Sequence, residues 1–125
     1  MVDRIEAFPV TLAAGTASST PATVATTFPD GIVVGLEVDV PPGPSGLVGF
    51  AFQQSGQQII PRTPNSWIIV QDVHLTWPLE NYPTGGKWSV VGYNTDIYSH
   101  TIQVRYLINE TAPGAPTPVQ LQVIG

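Results

Sequence analysis

Few residues in this chain can do acid–base, nucleophilic or metal chemistry. Its 125 residues include two histidines, no cysteine, nine Asp plus Glu and four Lys plus Arg. His74 and His100 stand far apart and neither belongs to a His-Glu-x-x-His pattern, so the close ligand set of a hydrolytic zinc is missing. Asp72 and His74, two apart, share a face if they lie on a strand and offer two ligands, although a solvent-facing pair beside a turn accounts for them more simply. A glycosidase needs two carboxyl groups about 5 to 9.5 Å apart in a cleft. Glu37 and Asp39 alternate with apolar residues on one run, so they point together into water. There is no Gly-x-Ser-x-Gly elbow or phosphate-binding glycine loop, and Ser45, in Pro44-Ser45-Gly46, has no base beside it in sequence. Without cysteine there is neither a thiolate nor a disulfide framework. The expectation is a protein that is not an enzyme and has no catalytic, cofactor or metal residues.

The elements that hold these residues read as strands. The chain has 12 glycines and 13 prolines, and between them lie short runs rich in Val, Ile, Thr, Phe, Trp and Tyr. The runs are 5–12, 22–28, 32–40, 47–53, 67–70, 74–79, 87–93, 101–108 and 119–124. No window of helical length escapes a proline, a glycine or a β-branched cluster. Leu36, Val38 and Val40 alternate with Glu37 and Asp39, and Ile102, Val104 and Tyr106 with Gln103 and Arg105, as strands with one wet face should. Such strands bury their apolar faces against a second sheet. The expected fold is all-β: a single-domain, antiparallel, jelly-roll-like β-sandwich over residues 1–110, followed at 111–125 by a Pro-rich linker and a C-terminal strand or arm. Strand order does not follow from spacing.

Composition bears on partners. The formal net charge is −5, and charged residues are 10% of the chain against about a quarter in typical domains. No cationic footprint for phosphates is present, so no nucleic-acid partner is expected. No run approaches the roughly 18 apolar residues of a membrane span, and the opening Met-Val-Asp-Arg-Ile-Glu mixes charges where a signal peptide would not. A soluble, unprocessed chain with no membrane partner is expected. Low charge with a mean hydropathy of +0.15 implies that a partner covers part of the surface.

Trp67, Trp77, Tyr82, Trp88, Tyr93 and Tyr98 crowd into one stretch, where they serve as core, as interface anchors or as platforms for sugars. Trp88, before the polar Asn94-Thr95-Asp96 turn, reads as core. Tyr82 reads as a loop residue and, with Tyr98, as an interface anchor. Arg62 and Arg105 are cations available for pairing across an interface. Val119, Leu121 and Val123 alternate with Gln120 and Gln122, so this last run either completes its own sheet or adds a strand to a neighbour.

Four segments resemble a group of small β-sandwich virion proteins of tailed bacteriophages. They are Val40-Pro41-Pro42-Gly43-Pro44-Ser45-Gly46-Leu47-Val48-Gly49-Phe50; Ile59-Ile60-Pro61-Arg62; Trp77-Pro78-Leu79-Glu80-Asn81-Tyr82-Pro83-Thr84-Gly85-Gly86-Lys87-Trp88; and Tyr93-Asn94-Thr95-Asp96-Ile97-Tyr98-Ser99-His100 with the run 101–108. The resemblance covers roughly residues 32–109 and includes no catalytic signature. It implies a non-enzymatic decoration (cement) protein, made in the host cytoplasm and placed on the capsid surface. Its partner would be the major capsid protein, and it would cluster around a symmetry axis as a homo-oligomer, with a trimer favoured. The competing expectation is a carbohydrate-binding or host-recognition module of a phage tail or fibre that uses the aromatic loop residues.

Overall fold

A computed structural model describes residues 4–29, 31–43, 45–63, 65–83 and 87–109. Among these, eight strands form two four-stranded antiparallel sheets and there is no helix. The strands are β1 (Arg4–Leu12), β2 (Ala22–Ala25), β3 (Ile32–Val40), β4 (Val48–Gln54), β5 (Gln57–Ile60), β6 (Val73–Pro83), β7 (Trp88–Asn94) and β8 (His100–Asn109). The first sheet runs β1-β8-β3-β6 and the second β2-β7-β4-β5. The pairs β1·β8, β2·β7, β3·β6 and β4·β5 are those of one long hairpin with arms β1–β4 and β5–β8. Rolling that hairpin up adds β3·β8 and β4·β7, which close the two sheets. This is the jelly-roll arrangement, and the expected sandwich is the observed fold.

The roll fixes where function can sit. Because successive strands alternate direction, the connections 13–21, 41–47, 61–72 and 95–99 all emerge at one end. The other three connections lie at the opposite end, with Arg4 and Asn109. Between the ends, inward residues from both sheets make one core. Val10, Leu12, Leu36, Val38, Ile102, Val104 and Ile108 meet Phe50, Phe52, Trp88 and Val90. Burying each such side chain contributes roughly 1.5–3 kcal/mol. At the core's centre Tyr106 is ringed by Phe8, Phe28, Phe52 and Trp88, with centroids 4.8–6.1 Å away. The Tyr106 hydroxyl shares a 2.7 Å hydrogen bond with Thr26 Oγ1, and burial pushes its pKa well above the usual phenol value.

Four expectations are corrected. The run 22–28 is a strand only to Ala25; beyond it Thr26 bonds Trp88 O and Tyr106, and Phe28 turns in to pack on Phe8 and Tyr106. The run 67–70 is not a strand. β5 already occupies the edge of β4 around Phe52, which leaves Ile68 one bridge to Phe50. β5 itself was not expected; its Gln-rich sequence is turned back by Ser55-Gly56, both at positive φ as a tight hairpin requires. β6 runs on to Pro83, which takes Tyr82 out of its expected loop and sets it opposite Val33. An edge strand tolerates the missing N–H of Pro78 and Pro83. The Tyr82 side chain and the run 119–124, with Val119, Leu121 and Val123, lie outside the described residues.

Charge divides between the sheets. Arg4, Glu6, Glu37, Asp39, Glu80 and Arg105 all belong to strands of the first sheet, and no strand of the second carries Asp, Glu, Lys or Arg.

Candidate functional site

The loop end is bound together across all four connections. Thr95 N–H and Oγ1 both donate to Leu47 O, at 2.9 and 3.0 Å, which joins 95–99 to 41–47. Ser45 N–H donates to Gln71 Oε1 at 2.6 Å and Asp72 N–H to Pro41 O at 3.3 Å, so 61–72 joins the same loop. Gly15 N–H donates to Asp96 O at 3.2 Å and Asn94 N–H to Thr16 O at 2.9 Å, which brings in 13–21.

Asn94 organises the β7–β8 loop from inside. It is fully buried. Its Nδ2 donates to Leu12 O and Tyr98 O at 2.9 and 2.8 Å, and its Oδ1 accepts from Asp96 N–H at 2.9 Å. Asp96 then accepts from His100 Nε2 at 2.7 Å and from Ile97 N–H at 2.7 Å. The His100 bond, with the backbone donors beside it, holds the Asp96 carboxyl below its ordinary pKa. The loop so fixed turns Ile97 and Tyr98 outward, 79% and 67% exposed, and Leu47 on the bonded neighbouring loop is also exposed. This end therefore presents three large apolar side chains to solvent, Leu47, Ile97 and Tyr98.

The first sheet's outer face holds a second polar group. Asp39 accepts from His74 Nδ1 at 2.5 Å and from Arg105 Nη2, and Arg105 Nη1 lies 3.7 Å from Glu37. The His74 bond, then Arg105, lowers the Asp39 pKa. Thr76 Oγ1 lies 3.3 Å from His74 Nε2, which completes a hydroxyl–imidazole–carboxylate line of the kind used in acyl transfer. Here, however, the imidazole is half exposed. The adjoining depression of 460 Å³ is lined by Asp39, Asp72 and His74 but not by Thr76. Thr76 is itself exposed, so the line is a solvent-facing cluster of ion pairs and hydrogen bonds. Among the described residues no three His, Asp or Glu come within ligating reach.

The predicted site residues thus separate. Tyr98 stands at the loop end, exposed as an anchor must be. Arg62 is exposed on the β5–β6 connection. Arg105 is used within the chain, on Asp39 and Glu37. Of the tryptophans, Trp88 is core, Trp77 is half-buried against it, and Trp67 lies on the outer side of the second sheet, edge-to-face with Tyr93 at 5.0 Å. Sequence reasoning missed the Asn94–Asp96–His100 frame. Its signal was an Asn-x-Asp turn with a histidine four residues after the aspartate.

No family model matches the chain, and no curated protein matches it. Among solved structures, a chain from Bacillus endospore appendages, described as a novel family of disulfide-linked pili, aligns over 84% of this chain and 89% of its own. It is 18% identical, with a TM-score of 0.39. A likeness at that level bears on neither function nor assembly.

Proposed function

We propose that this chain is a non-enzymatic structural protein of a bacteriophage particle: a capsid decoration protein that binds the major capsid protein at the head surface and stabilises the shell. It acts as a homo-oligomer, a trimer around a local three-fold axis. The observation that carries the proposal is the loop end, where four cross-bonded connections hold Ile97 and Tyr98 out from a frame of buried hydrogen bonds. A protein that works by adhesion gains from such a surface, since contacts that are already ordered lose little entropy on binding. The two segments of the resemblance that meet here, 40–50 and 93–100, supply Leu47, Ile97 and Tyr98. Arg4 and Asn109, the first and last described residues, lie at the opposite end.

The test is co-sedimentation with purified empty capsids. The native chain binds, and the doubly substituted Ile97→Asp, Tyr98→Ala chain, still folded by circular dichroism, does not. Failure of the native chain to bind any head shell, with binding to host-surface glycans instead, would replace this reading with a tail or fibre recognition module.

A further inference from the structure

The second sheet's outer face carries a cleft that Leu47, Ile97 and Tyr98 do not line. It has a volume of 240 Å³, between the β1–β2 connection at Ser18 and Ser19 and the β5–β6 connection at Asn65 and Trp67, with Ala51 and Gln53 of β4 on its floor. Its indole is placed by a chain of contacts. Gln58 Nε2 donates to Pro61 O, Thr63 O and Ser66 O at 2.7, 2.9 and 3.2 Å, which folds the connection before Trp67. The paired bonds between Ile68 and Phe50, 2.8 and 3.1 Å, fix it just after. Tyr93 buttresses the ring edge-to-face. The side chains of Ser18, Ser19, Gln53 and Asn65 form no hydrogen bond with another described residue.

We infer that this cleft binds one neutral hexose unit of a glycan, its ring lying against Trp67 and its hydroxyls bonding the amides and hydroxyls around it. Three features select that class. No charged residue lines the cleft, and no strand beneath it carries one, so phosphate, sialate and uronate lack a counter-charge. A sugar's rim of hydroxyls both donates and accepts, as Gln, Asn and Ser side chains do on every side here. An extended proline-rich peptide offers fewer donors than a hexose, because proline has no N–H, and needs a longer groove. The volume lies just below the usual range of small-molecule pockets, which suits a single ring. Because none of Leu47, Ile97 and Tyr98 lines the cleft, substitutions in it test the sugar site separately from the proposed capsid attachment.

The experiment is titration calorimetry of the full chain with neutral oligosaccharides of glucose, galactose and mannose, with sialylated counterparts, and with a synthetic peptide of residues 111–118. Saturable binding of at least one neutral oligosaccharide is expected, with affinity about tenfold lower in Trp67→Ala and partly kept in Trp67→Phe, since stacking needs an aromatic face. Gln53→Leu weakens binding without moving the melting temperature. The inference is overturned if no neutral saccharide binds, if the sialylated sugars or the peptide bind in preference, or if Trp67→Ala binds as tightly as the native chain.

Discussion

A methyl group at Gly49 would come within 2.7 Å of Tyr93 Cζ and 2.9 Å of its hydroxyl. Glycine is therefore what lets Tyr93 lie flat over β4 and support Trp67. Gly49→Ala is expected to cost about 1–3 kcal/mol, the usual range for overpacking, seen as a lower urea midpoint, and to change the near-ultraviolet circular dichroism of the aromatic pair. A second residue-scale prediction concerns Asp96. Its folded carboxyl releases its proton more readily than the unfolded one, so the stability it contributes is complete above the ordinary carboxylate pKa near 4 and drains away as pH falls below that. Urea unfolding from pH 7 to pH 3 should show a smaller acid loss in Asp96→Asn than in the native chain, and the variant should be less stable at pH 7. An unchanged acid slope would mean that the Asp96–His100 bond contributes nothing.

At the scale of elements, legibility followed periodicity. β3 was read to the residue, because Leu36, Val38 and Val40 alternate strictly with Glu37 and Asp39 and both ends are marked by Gly or Pro. β5 was lost because Gln57-Gln58-Ile59-Ile60 lacks alternation, although Ser55-Gly56 between two runs was a hairpin signal. The run 67–70 has strand composition but no free edge long enough to receive it, which is a tertiary fact. The loop-end frame depends on Asn94 reaching Leu12, and no local pattern announces a contact across that distance in sequence. Among the described residues, eight strands between Arg4 and Asn109 make up both four-stranded sheets. Removing residues 110–125 is therefore expected to move the melting temperature by less than about 3 °C, a fraction of the shift that 1 kcal/mol produces in a domain near this size. Collapse of the melting transition would place the run 119–124 inside the sandwich.

For the whole molecule, the sorting of charge is the largest feature that composition hid. Low charge was visible at once, but its segregation onto β1, β3, β6 and β8 required the strand order, which spacing does not contain. The result is a sandwich with an ion-paired face on the first sheet, strands without charge in the second, and a loop end that exposes Leu47, Ile97 and Tyr98. If the proposed capsid attachment runs through Leu47, Ile97 and Tyr98 rather than the Asp39–Arg105 cluster, it is expected to depend only weakly on salt. A trimer on the shell follows from the proposed three-fold axis, and the added mass per occupied capsid position reads it directly.

The loop end is the surface of the proposed attachment, and the decisive measurement is cryo-electron microscopy of capsids incubated with the native chain and with the Ile97→Asp, Tyr98→Ala chain. The prediction is added density in clusters of three for the native chain, with the β3–β4 and β7–β8 loops against the shell and Asn109 pointing away, and bare capsids for the variant. Density that contacts the shell through the charged sheet, equal decoration by both chains, or no decoration by either would contradict it.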